Sequence, residues 1–276
     1  MPGGTDGRKT LSKLQGKYDT LRGRAAEMGS ALVAFSGGID SMTLLKVVHE
    51  ELGSNCVAAT MRSCLMAESE LEDARAFCQA EGIELYTISL DPMGFSGFAE
   101  NTQNRCYICK KAMFDAMKAL AVEKGFDHVC EGSNVDDLSD FRLGMKALEE
   151  LGIESPLLEV GMDKEEIRVL AISIGIQDWD KPSSACLASR IPTGEPITLE
   201  KLEMVEQAET LLRDRGFEQI RVRVHGGLAR IEVGSDELDD LYQLGSDDGF
   251  LQAMHRIGFR YVTFDPEGYR RGSSNA

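Results

Sequence analysis

The sequence lacks two features that would direct it to a membrane or out of the cell. No apolar run approaches the length that spans a bilayer, and the N-terminal stretch MPGGTDGRKT holds no apolar segment like that of a secretion signal. We therefore expect a cytoplasmic protein with no membrane partner. The 276 residues suffice for one large domain or two modest ones.

Basic residues are also scarce. Lys and Arg total 30 against 46 for Asp and Glu, which gives a net charge of −16. Such a surface repels a nucleic-acid backbone unless a local basic face overcomes the repulsion, and the sequence contains no Lys/Arg runs. This balance predicts no nucleic-acid partner and argues against tRNA as a substrate.

A disulfide framework is not expected either, because the seven cysteines are an odd number in a chain without a secretion signal. Metal binding or thiol chemistry is the better interpretation of any clustered set, such as Cys106 and Cys109 in the run RCYICKK. Three others fall within apolar strand or helix patterns and are predicted to be small core residues: Cys56, Cys78 and Cys130.

What the chain does contain is centred on the segment 31–41, ALVAFSGGIDS. It predicts a strand over Leu32–Phe35 that runs through a glycine-rich turn into a helix over Met42–Leu52. Unpaired backbone N–H groups and the positive helix end converge at such a turn and attract phosphate. A Gly-Gly pair alone would be an ordinary turn. The full pattern predicts a nucleotide-phosphate site formed by Ser36, Gly37, Gly38, Asp40 and Ser41.

Short apolar strands alternate with helices from this segment onward. Further strands are predicted over 56–60, 84–90 and 128–131, and further helices over 68–81, 110–124 and 163–173. This order is typical of an α/β fold with a doubly wound parallel sheet, whose ligands bind at the carboxyl ends of the strands. Arg62, after the second strand, and Gly132, after the fourth, are therefore expected beside the nucleotide.

The pattern changes in the last third of the chain. A helix over Thr198–Arg215 precedes strands over 220–224 and 228–233, joined by a Gly-Gly pair suited to a primed hairpin turn. Helices over 237–244 and 250–257 and a strand over 261–264 follow. We predict four segments: a tail and leading helix over 1–28, the parallel-sheet domain over 29–194, a small α+β domain over 195–266 and a flexible tail over 267–276.

Cations repeat along one strand of the predicted hairpin. Alternation places Arg221, Arg223 and His225 on one face, while Arg230 and Glu232 share a face of the partner strand. One interpretation is a phosphate-binding site, because Arg offers paired donors to phosphate oxygens. The other is a solvated face neutralised by nearby carboxylates.

Two longer motifs carry a resemblance to known families. SGGIDS matches the PP-loop of ATP pyrophosphatases, which cleave ATP between the α- and β-phosphates, and no Lys follows the glycines as in a Walker A loop. The irregular segment KPSSACLASRIPTGEPIT, followed by a helix and by RVRVHGGLARIEV, resembles the LarE family over about residues 17–269. The expected fold is thus a PP-loop ATP pyrophosphatase (adenine nucleotide alpha hydrolase-like) domain with a small C-terminal α+β domain.

The resemblance implies an ATP-dependent sulfur transferase that makes the precursor of the nickel-pincer nucleotide cofactor of lactate racemase. AMP would be transferred from ATP to a carboxylate of pyridinium-3,5-biscarboxylic acid mononucleotide, with Mg²⁺ neutralising charge, and a sulfur nucleophile would then displace AMP. By motif match the substrate phosphate would be held by Ser189, Arg190, Arg221 and Arg223. The acidic site residues, to which we assign Mg²⁺, would be Glu209 (also a substrate contact), Glu232 and Asp240.

The sulfur donor is where this sequence departs from the best-known family members, in which one loop cysteine gives up its own sulfur. Anchored on Ser189-Arg190, that position falls at Ala185, with Cys186 its neighbour. Cys106, Cys109 and Cys186 together match a branch that carries a [4Fe-4S] cluster on three cysteines, with one iron open to an extra sulfide. We expect the cluster. Sacrificial transfer from Cys186, a zinc half-site or inert thiols are the alternatives.

Other functions and partners stay open at this point. A tRNA thiolase of the same superfamily would need a basic surface, an amide synthetase would need a glutaminase partner, and a non-enzymatic nucleotide-binding module is a further alternative. The family implies nickel-insertion and carboxylase/hydrolase partners of the same pathway and includes homo-oligomers. Cys64 has no assignment, and Glu131, Asp136 and Asp137 are expected either to bind metal or to cap the following helix.

Overall fold

A computed structural model of the chain describes residues 6–138, 142–177 and 186–270. The predicted end segments 1–5 and 271–276, and the loop residues 178–185 with Ala185, lie outside the described residues. The described chain divides into two compact units. The first holds 6–62, 68–90, 106–138 and 142–177, and the second holds 63–67, 91–105 and 186–270.

The first unit is built on a parallel sheet. Its elements are α1 (Asp6–Met28), β1 (Ala31–Ala34), α2 (Ile39–Leu52), β2 (Cys56–Arg62), α3 (Glu68–Glu81), β3 (Glu84–Ser89), α4 (Arg105–Lys124), β4 (His128–Cys130), α5 (Arg142–Leu151), α6 (Pro156–Glu159) and α7 (Lys164–Ser173). The strand order is β3-β2-β1-β4, and every pairing is parallel. Short 3₁₀ turns lie at 53–55, 92–94 and 135–138.

Helices cover both faces of this sheet, as a doubly wound fold requires. Ala31 and Val33 of β1 face one apolar cluster, with α1, α2 and α7, whereas Leu32 faces a second cluster. The second cluster contains Phe114 of α4 and Leu148 of α5. Because alternate residues of a strand point to opposite faces, a strand buried on both sides is apolar throughout. The predicted α/β architecture is confirmed.

Two elements of the first unit differ from the prediction. α4 begins at Arg105 rather than at Lys110, so Cys106 and Cys109 lie inside its first two turns instead of before it. α5 was not predicted. It is short and is stabilised by burying Leu148 against α4, and sequence pattern alone is a weak guide to such a helix.

The second unit contains the α+β pattern that the sequence predicts. A 3₁₀ turn over Leu187–Arg190 leads to α8 (Leu199–Arg213), β5 (Arg221–His225), β6 (Leu228–Glu232), α9 (Leu238–Leu244), α10 (Asp248–Ile257) and β7 (Tyr261–Phe264). β6 lies between antiparallel β5 and parallel β7. Gly226 opens the two-residue hairpin turn with φ +58°, the positive φ that primed turns need.

Helix capping follows the sequence closely. Asp163 and Glu166 form a capping box at the start of α7, and the Thr198 side chain accepts a hydrogen bond from Lys201 N at the start of α8. Within the described ranges, no helix combines the length and the apolar character needed to cross a membrane.

Candidate nucleotide site and arginine cluster

The first candidate site is the nucleotide loop, residues 36–41, at the carboxyl end of β1. The chain proceeds from β1 outward to β2 and β3 and then returns to place β4 on the other side of β1. The loops after β1 and β4 therefore flank the point where the strand order reverses, which is where open α/β sheets bind ligands. The sequence predicted this position.

Bonds within the nucleotide loop fix its shape. Ser36 Oγ lies 3.1 Å from Ser41 Oγ, and the Ser41 hydroxyl donates to the Gly38 carbonyl at 2.9 Å. Gly37 has φ +75°, a conformation that favours glycine. The N-cap of α2 is Gly38, which has no side chain to cap the helix. The first-turn N–H groups of α2 therefore suit an anion.

The chain after β4 lies directly against this loop. A Cβ on Gly132 would be 3.0 Å from Ser41 N and 3.1 Å from the Asp40 carbonyl carbon, so this position requires glycine. Asn134, fully buried, donates from Nδ2 to Asp40 Oδ2 at 3.1 Å. Arg62 ends β2 with an exposed side chain 3.7 Å from Glu68. Nucleotide binding by Gly132 and Arg62 stays a prediction.

Asp40 is held in an environment that disfavours its charge. Its Oδ1 is buried without a hydrogen-bond partner among the described residues. Burial raises the pKa of Asp40 to about 6 from 3.8, an effect that Lys164 partly opposes and Asp137 adds to. Oδ1 is therefore a buried acceptor that the protein leaves unused.

The acidic residues near the loop, whose role the sequence left open, bond within the protein. Glu131 accepts from Ser133 N at 3.0 Å, from Ser133 Oγ at 2.8 Å and from Ser155 Oγ at 2.5 Å. Asp136 accepts from Lys164 N, the first residue of α7, at 2.8 Å. Asp137 pairs with the Lys164 side chain at 3.2 Å. These contacts favour capping for the two aspartates and a separate task for Glu131.

The second candidate site is the arginine cluster of the second unit, formed by Arg190, Arg221, Arg223 and Arg230 with Glu209 and Glu232. Arg190 donates from Nε and Nη2 to the two oxygens of Glu209, at 2.8 and 2.9 Å. Arg223 makes the same paired contact with Glu232, at 3.1 Å for both bonds. Glu209 on α8 also accepts from Val222 N at 3.0 Å, which ties the helix to β5.

The row of cations is therefore buried rather than solvated. Arg190, Arg221 and Arg223 are 3%, 6% and 5% exposed. Of the solvated-face interpretation, the neutralising carboxylates are confirmed, but water covers only His225 of the predicted row, which is exposed. Phosphate binding stays a prediction. The Arg221 guanidinium lies 5.0 Å from the centre of the Tyr269 ring and donates to Ile220 O at 2.6 Å. Burial, and next the charge of Arg190, lower the pKa of Arg221.

The family resemblance predicts that this cluster holds the phosphate of the substrate. Ser189 belongs to it as predicted, since its hydroxyl accepts from Arg190 Nη1 at 3.0 Å and its carbonyl accepts from Arg223 Nη1 at 2.9 Å. A phosphate monoester would meet a buried, preformed set of guanidinium groups here. Whether the substrate phosphate binds here stays a prediction.

The contacts of the three acidic residues to which the sequence assigned Mg²⁺ do not support that assignment. Asp240 lies exposed on α9, and the paired arginines occupy both oxygens of Glu209 and of Glu232. In the described parts of the chain, no group of three or more His, Cys, Asp or Glu side chains could hold a metal ion. Glu209 and Glu232 are bonded to arginines, and the assignment of Mg²⁺ to them and to Asp240 stays a prediction.

None of the seven cysteines, all in described segments, forms a disulfide. Cys56, Cys78 and Cys130 are buried as predicted. Burial raises the pKa of the first two to about 12, and it also raises the pKa of Cys130 well above its ordinary value. Cys106 and Cys109, half-buried in the first two turns of α4, are three positions apart and share a helix face. These two belong to the first unit, and Cys186, which is exposed, belongs to the second.

Sequence reasoning missed the environment of Cys64. The segment 63–67 belongs to the second unit, where Leu187 N donates to Leu65 O at 3.0 Å. Cys64 thus lies on a segment bonded to the chain directly after Cys186. Burial, and next the charge of Asp91, raise the pKa of the Cys64 thiol. No local pattern could have revealed this pairing.

Known proteins similar to this chain cover nearly all of it. A family model described as thiamine biosynthesis protein (ThiI) matches residues 26–213. An uncharacterised protein of Synechocystis is 41% identical over 262 residues, 95% of this chain and 98% of the relative. The pyridinium-3,5-bisthiocarboxylic acid mononucleotide synthase of Lactiplantibacillus plantarum is 33% identical over 266 residues, 96% of both chains. An uncharacterised protein of Methanocaldococcus jannaschii is 29% identical over 239 residues, 87% of this chain and 90% of the relative.

Proposed function

Because the chain belongs to the LarE family of ThiI-related PP-loop ATP pyrophosphatases, we propose that it is an ATP-dependent sulfur transferase acting on pyridinium-3,5-biscarboxylic acid mononucleotide. The observation that carries this proposal is the 33% identity to the bisthiocarboxylic acid mononucleotide synthase over 96% of both chains. The nucleotide loop and the arginine cluster supply the two phosphate-binding sites that such a reaction needs.

The first stage activates a carboxylate, which is otherwise a poor acylating group. A carboxylate oxygen of the substrate attacks the α-phosphorus of ATP, the bond from that phosphorus to the bridging oxygen breaks, and pyrophosphate leaves with the electron pair. The first-turn N–H groups of α2 and the backbone at Gly37 and Gly38 bind the phosphates. The product is a mixed anhydride between the substrate and AMP.

In this stage Mg²⁺ would bind to the phosphates of ATP. Mg²⁺ in ATP-dependent enzymes is held by one or two carboxylates together with substrate phosphates, so a site of several acidic side chains is not required. The buried Oδ1 of Asp40 is an oxygen acceptor without a partner in the described nucleotide loop, and it fits one such contact. When bound, Mg²⁺ supplies neutralisation of the negative charge on the phosphates.

The second stage replaces AMP by sulfur. A sulfur nucleophile adds to the acyl carbon, the bond from that carbon to the AMP oxygen breaks, and a thiocarboxylate and AMP result. Arg190, Arg221 and Arg223, with Ser189, hold the phosphate of the mononucleotide and so fix the pyridinium ring. The thiolated product then passes to a nickel-insertion protein, and a carboxylase/hydrolase supplies the dicarboxylate. We place these reactions in the cytoplasm.

For the sulfur source we propose a [4Fe-4S] cluster on Cys106, Cys109 and Cys186. The fit rests on two half-buried thiols on one face of α4, in its first two turns, and on one exposed thiol beside the Leu187–Arg190 turn. When bound, such a cluster supplies sulfide at an iron that no protein ligand occupies. Sacrificial use of the Cys186 sulfur is the competing source.

The test measures pyrophosphate release by the full chain, purified without oxygen, in the presence of ATP, Mg²⁺ and the pyridinium mononucleotide. We expect release to depend on the mononucleotide and the product to carry sulfur in place of one carboxylate oxygen by mass spectrometry. Pyrophosphate release without the mononucleotide, or a product without sulfur, would contradict the proposal. Arg223→Ala should abolish thiolation, because it removes a donor set for the substrate phosphate.

A further inference from the structure

Glu131 is a buried carboxylate whose bonds have no part in the reaction described above. It follows β4 directly and is 8% exposed. Its two oxygens accept three hydrogen bonds, from Ser133 N, Ser133 Oγ and Ser155 Oγ. Bonds to a charged group are among the stronger ones in proteins, and a buried polar group that loses its partner is costly. The segment held by Glu131 is therefore fixed firmly.

The segment held in this way, residues 132–134, is the one that touches the nucleotide loop. Ser133 is bonded through both its backbone and its hydroxyl, so the backbone of Gly132 has little freedom. The space for a side chain at Gly132 is closed by Ser41 N at 3.0 Å. Asn134 extends the contact by donating to Asp40 Oδ2. The position of the first turn of α2 therefore depends on where the carboxylate places Ser133.

Ser155 supplies the third anchor from another part of the first unit. It precedes α6 and lies next to Glu154, whose carbonyl accepts from Glu131 N at 2.9 Å. Glu131 is thus fixed on both its backbone and its side chain by residues 154 and 155. Through its bonds to Ser133, the Glu131 carboxylate therefore fixes the segment that touches the nucleotide loop.

We infer that Glu131 is a positioning residue that holds the first turn of α2 in the geometry that binds the ATP phosphates. The inference rests on the proposed function, because it requires ATP to bind at the nucleotide loop. Glu131 contacts neither loop nor nucleotide directly and acts through Ser133 and Gly132. Donors that are already in place when the ligand arrives save the cost of ordering them, so loosening this segment weakens ATP binding.

The test is ATP affinity of the full chain, measured by titration calorimetry without the pyridinium substrate. We expect Glu131→Ala to bind ATP about tenfold more weakly, a factor that corresponds to about 1.4 kcal/mol. Glu131→Gln keeps an acceptor oxygen and the side-chain length, and it should bind within about threefold of the natural chain. The matched control is Glu149→Ala, which removes an exposed carboxylate of α5 in the same unit and should leave ATP affinity unchanged.

A double-variant cycle separates positioning from general loosening of the fold. Gly132→Ala pushes on Ser41 from the same segment, so its effect and that of Glu131→Ala should be less than additive in ATP affinity. Additive effects would mean that the two residues act independently and would overturn the inference. If Glu131→Ala does not fold, Ser133→Ala removes only the hydroxyl bond and should still weaken ATP binding.

The two proposals fail in different ways. Unchanged ATP affinity in Glu131→Ala, or in Ser133→Ala where the first does not fold, overturns the positioning role and leaves sulfur transfer standing. ATP binding by the natural chain without thiolation of the pyridinium substrate overturns the proposed function and leaves the positioning role standing. A natural chain that binds no ATP overturns both.

Discussion

Among single residues, Asp40 is the clearest case in which burial of a charged side chain lowers the stability of the folded chain. Its pKa of about 6 in the folded chain exceeds the ordinary 3.8, so the folded state binds this proton more tightly than the unfolded state does. The stabilisation from that proton is complete below pH about 4 and is lost as the pH rises through about 6. The nucleotide loop is thus least stable at neutral pH, where it would bind ATP.

The first prediction concerns Asp40→Asn, which removes the titrating charge. We expect the free energy of unfolding at pH 8 to rise by about 3 kcal/mol, because the pKa is raised from 3.8 to about 6 and each pKa unit corresponds to about 1.4 kcal/mol, and the gain to vanish near pH 3.5. Urea unfolding at both pH values measures this, with the exposed Asp115→Asn as control. A gain equal at both pH values would show that charge is not its cause. Thiolation should fall in Asp40→Asn.

The second prediction contrasts two carboxylates to which the sequence assigned the same role. Glu232 is completely buried and accepts from Arg223 and Arg230, whereas Asp240 is exposed. Removing one partner of a buried pair costs roughly 3–5 kcal/mol, but an exposed substitution costs within about 0.5 kcal/mol. In chemical unfolding we therefore expect Glu232→Gln to lower the free energy of unfolding by roughly 3–5 kcal/mol and Asp240→Asn to change it by less than about 0.5 kcal/mol.

Activity as a function of Mg²⁺ concentration completes that comparison. If Asp240 held the metal, Asp240→Asn would need more Mg²⁺ for half-maximal thiolation. That result would also show that neutralising arginines is not the whole role of these acidic residues. The expected result is an unchanged Mg²⁺ requirement in Asp240→Asn.

The motif could identify Glu209 and Glu232 as site residues, but it could not identify their partners. Arg190 and Glu209 meet only after the Leu187–Arg190 turn, α8 and β5 have packed together.

Among elements, α4 decides what the C-x-x-C pair can do. The two cysteines are three positions apart at the start of the helix, so both thiols project from one face with a spacing that a single metal-sulfur centre can accept. The sequence placed the helix start at Lys110, because Cys, Tyr and Ile are only moderate helix formers and the run lacks a capping pattern. By contrast, the caps at Asp163 and Thr198 were predictable, since capping depends on neighbouring residues only.

The third prediction is the metal content of the chain purified without oxygen. We expect about four irons and four acid-labile sulfides per chain, and their loss in Cys106→Ala. The matched control is Cys78→Ala, which removes a thiol buried between α3 and the sheet and should keep the iron. A natural chain without iron after reconstitution would exclude the cluster. Loss of one sulfur from Cys186 after a single turnover would then identify the sacrificial route.

At the scale of the whole molecule, chain order does not give the division into units. The segments 63–67 and 91–105 lie within the predicted first domain but belong to the second unit. Their membership depends on distant contacts, such as Asn101 Nδ2 donating to the carbonyls of Pro192 and Glu195, both at 2.8 Å. No change in composition marks these segments, so the division into units could not be predicted from the sequence. The alternation of strands and helices, in contrast, could be predicted from local pattern.

The fourth prediction concerns nucleic acid. The chain carries a net charge of −16, and Arg190, Arg221 and Arg223 are at most 6% exposed, so this row of cations cannot track an RNA backbone. We expect no binding of tRNA at physiological ionic strength in a filter-binding assay, with the same preparation shown to release pyrophosphate with the pyridinium mononucleotide. Retention that weakens steeply with salt would instead indicate phosphate contacts and favour a tRNA thiolase. The proposed function requires the cluster to accept a phosphate monoester of a small substrate but not a continuous RNA strand, and the two arms of the assay test this difference.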